Sequence, residues 1–155
     1  MSVSICDVTA RPLPKDSQLQ SRIRPGDFLD CYAIPSTASP RDAAEIITRF
    51  PGWAQVLSAM RNVIVAPLGL RTDAPKDQDC VGIFPVEMEN DREVIAGFDD
   101  KHLNFRVSVM SQGGTVFLAT WVHRHNLFGR LYLATIMPFH ILIARDALRR
   151  VAAHS

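Results

Sequence analysis

Apolar and polar positions alternate most regularly in the stretch Thr115–His125, TVFLATWVHRH. In an extended strand Phe117, Ala119, Trp121, His123 and His125 share one face, and Val116, Leu118, Thr120, Val122 and Arg124 share the other. Both faces begin apolar, which predicts a central strand covered on both sides, and the histidines stand where the pattern runs out. The preceding Gln112–Gly113–Gly114 predicts a tight turn, because glycine tolerates positive φ. Before the turn, Phe105, Val107 and Val109 alternate with Asn104, Arg106 and Ser108. The first set predicts an apolar packing face and the second a wetter surface or a polar cavity wall. CVGIFPVEMEN and DREVIAGFDD read as two further strands, with Pro85 favouring an edge or bulged position in the first.

Helical spacing replaces alternation elsewhere. Phe28–Ile34 suits a short strand that Pro35 ends. Ser39 is then a plausible N-cap, with Pro40 at the first helical position and Asp42 in the first turn. Ala43, Ile46, Ile47 and Phe50 follow at helical spacing until Pro51–Gly52. A second helical segment is predicted from about Trp53 to Val65. The chain from about Leu127 to Ala153 predicts a long helix, with Ile141, Leu142, Leu148 and Val151 on one stripe. Pro138 predicts a kink or a fresh start near Met137. The first 26 residues, with Pro12, Pro14, Pro25 and Gly26, read as an arm or irregular lead-in to one domain over 27–155.

This order of elements predicts an α+β fold: an antiparallel sheet whose apolar face is covered by a long C-terminal helix. If the sheet curves around that helix, in a helix-grip layout, a cavity can remain between them. The 155 residues are enough for one hydrophobic core without disulfide or metal. Seventeen Lys and Arg against sixteen Asp and Glu leave a net charge of +1, no broad reason to expect nucleic acid. Cys6, Cys31 and Cys80 are too scattered for a thiolate metal site and read as free thiols of a cytoplasmic protein. LYLATIMPFHILIA is too short to span a bilayer, so no integral membrane contact is expected.

The segments FPGWAQVLSAMRNVIVAPLGL, VGIFPVEMENDREVIAGFDDKHLNFRVSV and LYLATIMPFHILIARDALRRVA resemble an uncharacterised family, domain of unknown function 2867. The resemblance runs from about Asp27 to Ala152. Its most specific elements are Trp53 with Arg61 and Asn62, the run Gly97–Leu103, and Pro138–Phe139–His140. The family is similar to the START or polyketide-cyclase superfamily of helix-grip proteins. That resemblance implies an apolar ligand in the cavity and, in some members, cyclisation or hydrolysis there. It carries no catalytic residues onto this chain.

Four groups of residues could carry chemistry. His123 and His125 could form part of a metal site, though no complete ligand set or HExxH motif accompanies them. Asp100 and His102, in the charged turn FDDKHLNF, could exchange protons at a cavity rim, or only make the turn. His140 could do so from the helix, and Tyr132 lies eight residues earlier on roughly the same side. Trp53, Trp121 and Arg106 complete the candidate ligand-binding set, Arg106 as a partner for a carboxylate. No phosphate-binding loop, dinucleotide fingerprint or nucleophile elbow occurs, and no cofactor is implied. Three functions follow. The first is a module binding a small apolar or amphipathic ligand. The second is an enzyme of the cyclase or hydrolase sort, using Asp100, His102 or His140. The third is a homodimer in which a second subunit covers one face of the strongest strand.

Overall fold

Gly113 and Gly114 both take positive φ, +60° and +75°, and so join the two longest strands in a two-residue hairpin. A computed structural model of the chain describes residues 8–48, 79–81, 84–99 and 103–153. The described strands are β1 (Thr9–Ala10), β2 (Phe28–Pro35), β3 (Cys80–Val81), β4 (Phe84–Glu89), β5 (Glu93–Asp99), β6 (Leu103–Gln112) and β7 (Thr115–Arg124). They form one antiparallel sheet in the order β1-β2-β7-β6-β5-β4-β3, with β3 a two-residue addition at its edge. β7 therefore lies between β2 and β6, as its two apolar faces predict. The register of β4 shifts between Val86 and Met88, one residue beyond Pro85.

Two α-helices are described, besides the short 3-10 helix Gln18–Arg22 in the N-terminal segment. The first, α1 (Pro40–Ile47), starts as predicted: Ser39 is the N-cap, its hydroxyl accepts from the Asp42 N–H at 3.2 Å, and Pro40 opens the helix. Ser39→Ala should cost about 1 kcal/mol of stability, read by chemical denaturation. The second, α2 (Leu127–Ala153), contains Pro138, and its axis turns by 56° at the break between Thr135 and Met137. The kink is the one the proline predicts, since it removes a hydrogen bond and crowds the preceding turn. Among the described residues no single helix is long and apolar enough to cross a membrane. The predicted helix from Trp53 to Val65 lies outside the described residues.

Each sheet face has its own cover. On one face Ile34, Val94, Ala96, Val109, Val116 and Leu118 pack against Ala43, Ala44 and Ile47 of α1 and against Ala144, Ala147, Leu148 and Val151 of α2. Farther along the same face, Leu103, Phe105, Val122 and Phe28 meet Leu133 and Met137. The buried stripe of α2 corrects the predicted one. Leu142 is 58% exposed, and Ala144 and Ala147 take the inward positions. Leu142 and Leu148 are six residues apart, about 600° around a helix, and cannot share a face. On the opposite face Cys31, Ile95, Ala119 and Trp121 are covered by Leu13, Leu19 and Ile23 of the N-terminal segment. This segment covers the second face of β7 within the same chain, the role the homodimer expectation assigned to a partner.

Candidate functional site

Strand parity decides what each polar residue can reach. On β2, Phe28, Tyr32 and Ile34 belong to the helix-facing clusters, and Leu29 and Cys31 to the arm-facing one. Asp30 shares the parity of the first set. Its Oδ2 lies 2.9 Å from His140 Nε2 on α2, a pairing across 110 residues. Both side chains are largely buried, His140 at 22% and Asp30 at 17% exposure. The His140 ring stands edge-on to Phe28, with centroids 6.3 Å apart. The pair occupies the seam between the two apolar clusters: Phe28 and Met137 lie on one side of it, Tyr32 and Ala144 on the other.

Asp30 Oδ1 is buried and has no hydrogen-bond partner among the described residues. A carboxylate oxygen without a donor is costly in such a position. Its charge acts on the neighbours. Burial and then Asp30 raise the Tyr32 phenol above its usual range, with the Arg145 guanidinium opposing from 5.6 Å over the ring. Burial, with Asp30 again second, pushes the Cys31 thiol up to about 12 and leaves it a protonated, unreactive group at neutral pH.

Asp27, just before β2, makes the second Asp–His pair, on the opposite face. Its Oδ1 lies 2.6 Å from His123 Nδ1, and its Oδ2 accepts from Trp121 Nε1 at 2.9 Å and from the Arg24 N–H at 3.0 Å. Burial pulls the Asp27 carboxyl upward, but the bonds from His123, Arg24 and Trp121 outweigh it and hold the group below its ordinary value. His123 stacks on Trp121 and meets the exposed His125 edge-on, with centroids 6.5 and 5.2 Å away. His125 Nε2 lies 2.8 Å from Asn104 Oδ1 on the paired strand.

The candidate residues therefore divide between two faces. His140 is on the helix side, whereas Trp121, His123 and His125 are on the arm side. Arg106 alternates with the helix-facing Phe105 and Val107, and its guanidinium is already engaged by Glu87 at 2.8 Å and Asp99 at 2.9 Å. Arg22 from the arm also contacts Glu87 and lies 6.0 Å from the Trp121 ring. Arg106 and Trp121 thus cannot share with His140 the single pocket that the sequence suggested. Tyr132 is on α2, and Trp53, Asp100 and His102 lie outside the described residues. Two surface hollows, of about 320 and 270 Å³, occur beside Glu93 and between the arm and β2, and no α2 residue lines either. Sequence reasoning missed Asp27, Asp30 and Glu93. Asp30 did leave a signal, an acidic residue at the parity of Phe28, Tyr32 and Ile34.

A family model described as protein of unknown function (DUF2867) matches residues 22–147. No curated protein and no solved structure matches the chain. The match covers most of the chain, and the chain belongs to this family, whose likeness is to the START-like helix-grip proteins.

Proposed function

We propose, for this member of an uncharacterised family, that the seam between the sheet and α2 binds a small amphipathic molecule. Its apolar body would lie against Phe28 and the neighbouring cluster residues, and a hydroxyl or amine N–H would donate to Asp30 Oδ1. The buried, unpartnered oxygen carries this reading. His140 Nε2 holds the other oxygen, so the free one is fixed in direction and ready to accept. Family membership and the packing of a long C-terminal helix on an antiparallel sheet support the same location.

1-Aminoanthracene, an apolar ring system with one amine, is a suitable probe. Its fluorescence should rise on binding to the full chain. Asp30→Leu should weaken binding by at least about tenfold, the scale of one lost hydrogen bond to a charged group. The double variant Asp30→Leu/His140→Leu should fold as stably as the natural chain or more so, because well-packed apolar side chains replace a half-satisfied polar pair. Equal probe affinity in the natural chain and in a folded double variant would sink the proposal.

A further inference from the structure

We propose that His123 and His125 form a binding site for a borderline divalent transition-metal ion, best matched to tetrahedral zinc, on the sheet face opposite the Asp30 seam. His123 is the next-to-last residue of β7, His125 follows the strand's end, and their rings meet edge-on. With metal–nitrogen bonds of about 2.0–2.1 Å, an imidazole centroid lies roughly 3.2 Å from the ion, and two rings at the tetrahedral angle stand about 5.2 Å apart. The centroids of His123 and His125 are 5.2 Å apart.

The surroundings also set the tautomers. The Asp27 carboxylate accepts from Nδ1–H of His123, which leaves the lone pair on Nε2. Asn104 Oδ1 accepts from Nε2–H of His125, which leaves the lone pair on Nδ1. A carboxylate or carbonyl oxygen on the remote ring nitrogen is the usual support of a metal-bound imidazole, because it orients the ring and raises its basicity. Asp27 is itself fixed by Trp121 and the Arg24 N–H, and its side chain is only 2% exposed. Asp27 is thus a positioning residue. His123 and His125 sit at the open end of the strand, where an ion can arrive.

Among the described residues no group of three or more His, Cys, Asp or Glu converges for a metal. With two ligands from the described residues, two positions on the ion are open to water or an added anion, and affinity should fall below that of a four-ligand structural site. Cobalt(II), which reports tetrahedral geometry by strong visible absorption, serves as a second probe.

The test is calorimetric titration of the untagged full chain with zinc(II), paired with visible spectra of its cobalt(II) complex. One zinc per chain and a tetrahedral cobalt spectrum are expected. His123→Ala and His125→Ala should each weaken zinc by at least about tenfold, and Asp27→Asn by about 10- to 100-fold. His125→Ala changes only an exposed side chain, so it keeps the test valid if the Asp27 variant fails to fold. Unchanged zinc affinity in His125→Ala, or a weak octahedral cobalt spectrum, overturns the assignment.

Discussion

Gly97→Ala is expected to destabilise the protein by about 3–5 kcal/mol, the combined scale of backbone strain and overpacking at one site. Gly97 lies within β5 at φ +149°, opposite Arg106 of β6. A Cβ built there would fall 2.2 Å from the Phe105 carbonyl oxygen and 2.9 Å from Arg106 Cα. Both obstacles are backbone of a strand held on both sides, so neither can turn away as a side chain would. The loss is a large share of the total stability of an ordinary domain. Thermal unfolding should show a midpoint roughly 10 °C lower. A midpoint within a degree or two of the natural chain would mean that β5 and β6 separate at this point more readily than their pairing indicates.

Glu93→Ala should release the N-terminal segment from the sheet and cost about 2–4 kcal/mol. Glu93 is 1% exposed. Its Oε1 accepts from the Gln18 N–H at 2.8 Å, and its Oε2 accepts from the hydroxyls of Ser17 and Ser108. Ser17 also caps the short 3-10 helix Gln18–Arg22 by accepting from the Leu19 N–H at 3.1 Å. Alanine would strand three donors in a place where Ser17 and Ser108 are themselves buried. Leu13, Leu19 and Ile23 would then lose the anchor that holds them over Ile95, Ala119 and Trp121. Hydrogen exchange is the discriminating measurement: amides of residues 13–23 should lose protection before those of β6 and β7. Uniform loss across the sheet would show that the segment and the sheet open as one unit.

Local pattern was enough to place most of the described elements. α1 stops at Ile47, short of the predicted break at Pro51–Gly52, but the positions of β2, β6 and β7, the start of α1 and the span of α2 follow from alternation, from the two hairpin glycines, from Ser39–Pro40 and from helical spacing. These are properties of neighbours in the chain, and they act before any tertiary contact forms. The central place of β7 was legible for the same reason, since both of its parities are apolar. The arm was the least legible part. Pro12, Pro14 and Pro25 signal irregular backbone, and irregular backbone has no period from which a buried face can be read. Its cover of the sheet depends on Leu13, Leu19 and Ile23 meeting Ile95, Ala119 and Trp121, which lie far along the chain, and on one carboxylate that has no local motif.

The candidate chemistry divides along the same line. Sequence alone determined the residue types and the strand parity, and so placed His123 beside His125 on one face and His140 in an apolar helix. Tertiary structure alone decided that Asp30 meets His140 and Asp27 meets His123, across 110 and 96 residues, on opposite sides of one sheet. Asp30 is three positions after Asp27, an odd step in extended chain, so their side chains point apart. Which of them faces the helix depends on the side of the sheet that α1 and α2 cover, and that is settled by long-range packing of whole apolar faces, which no local spacing encodes.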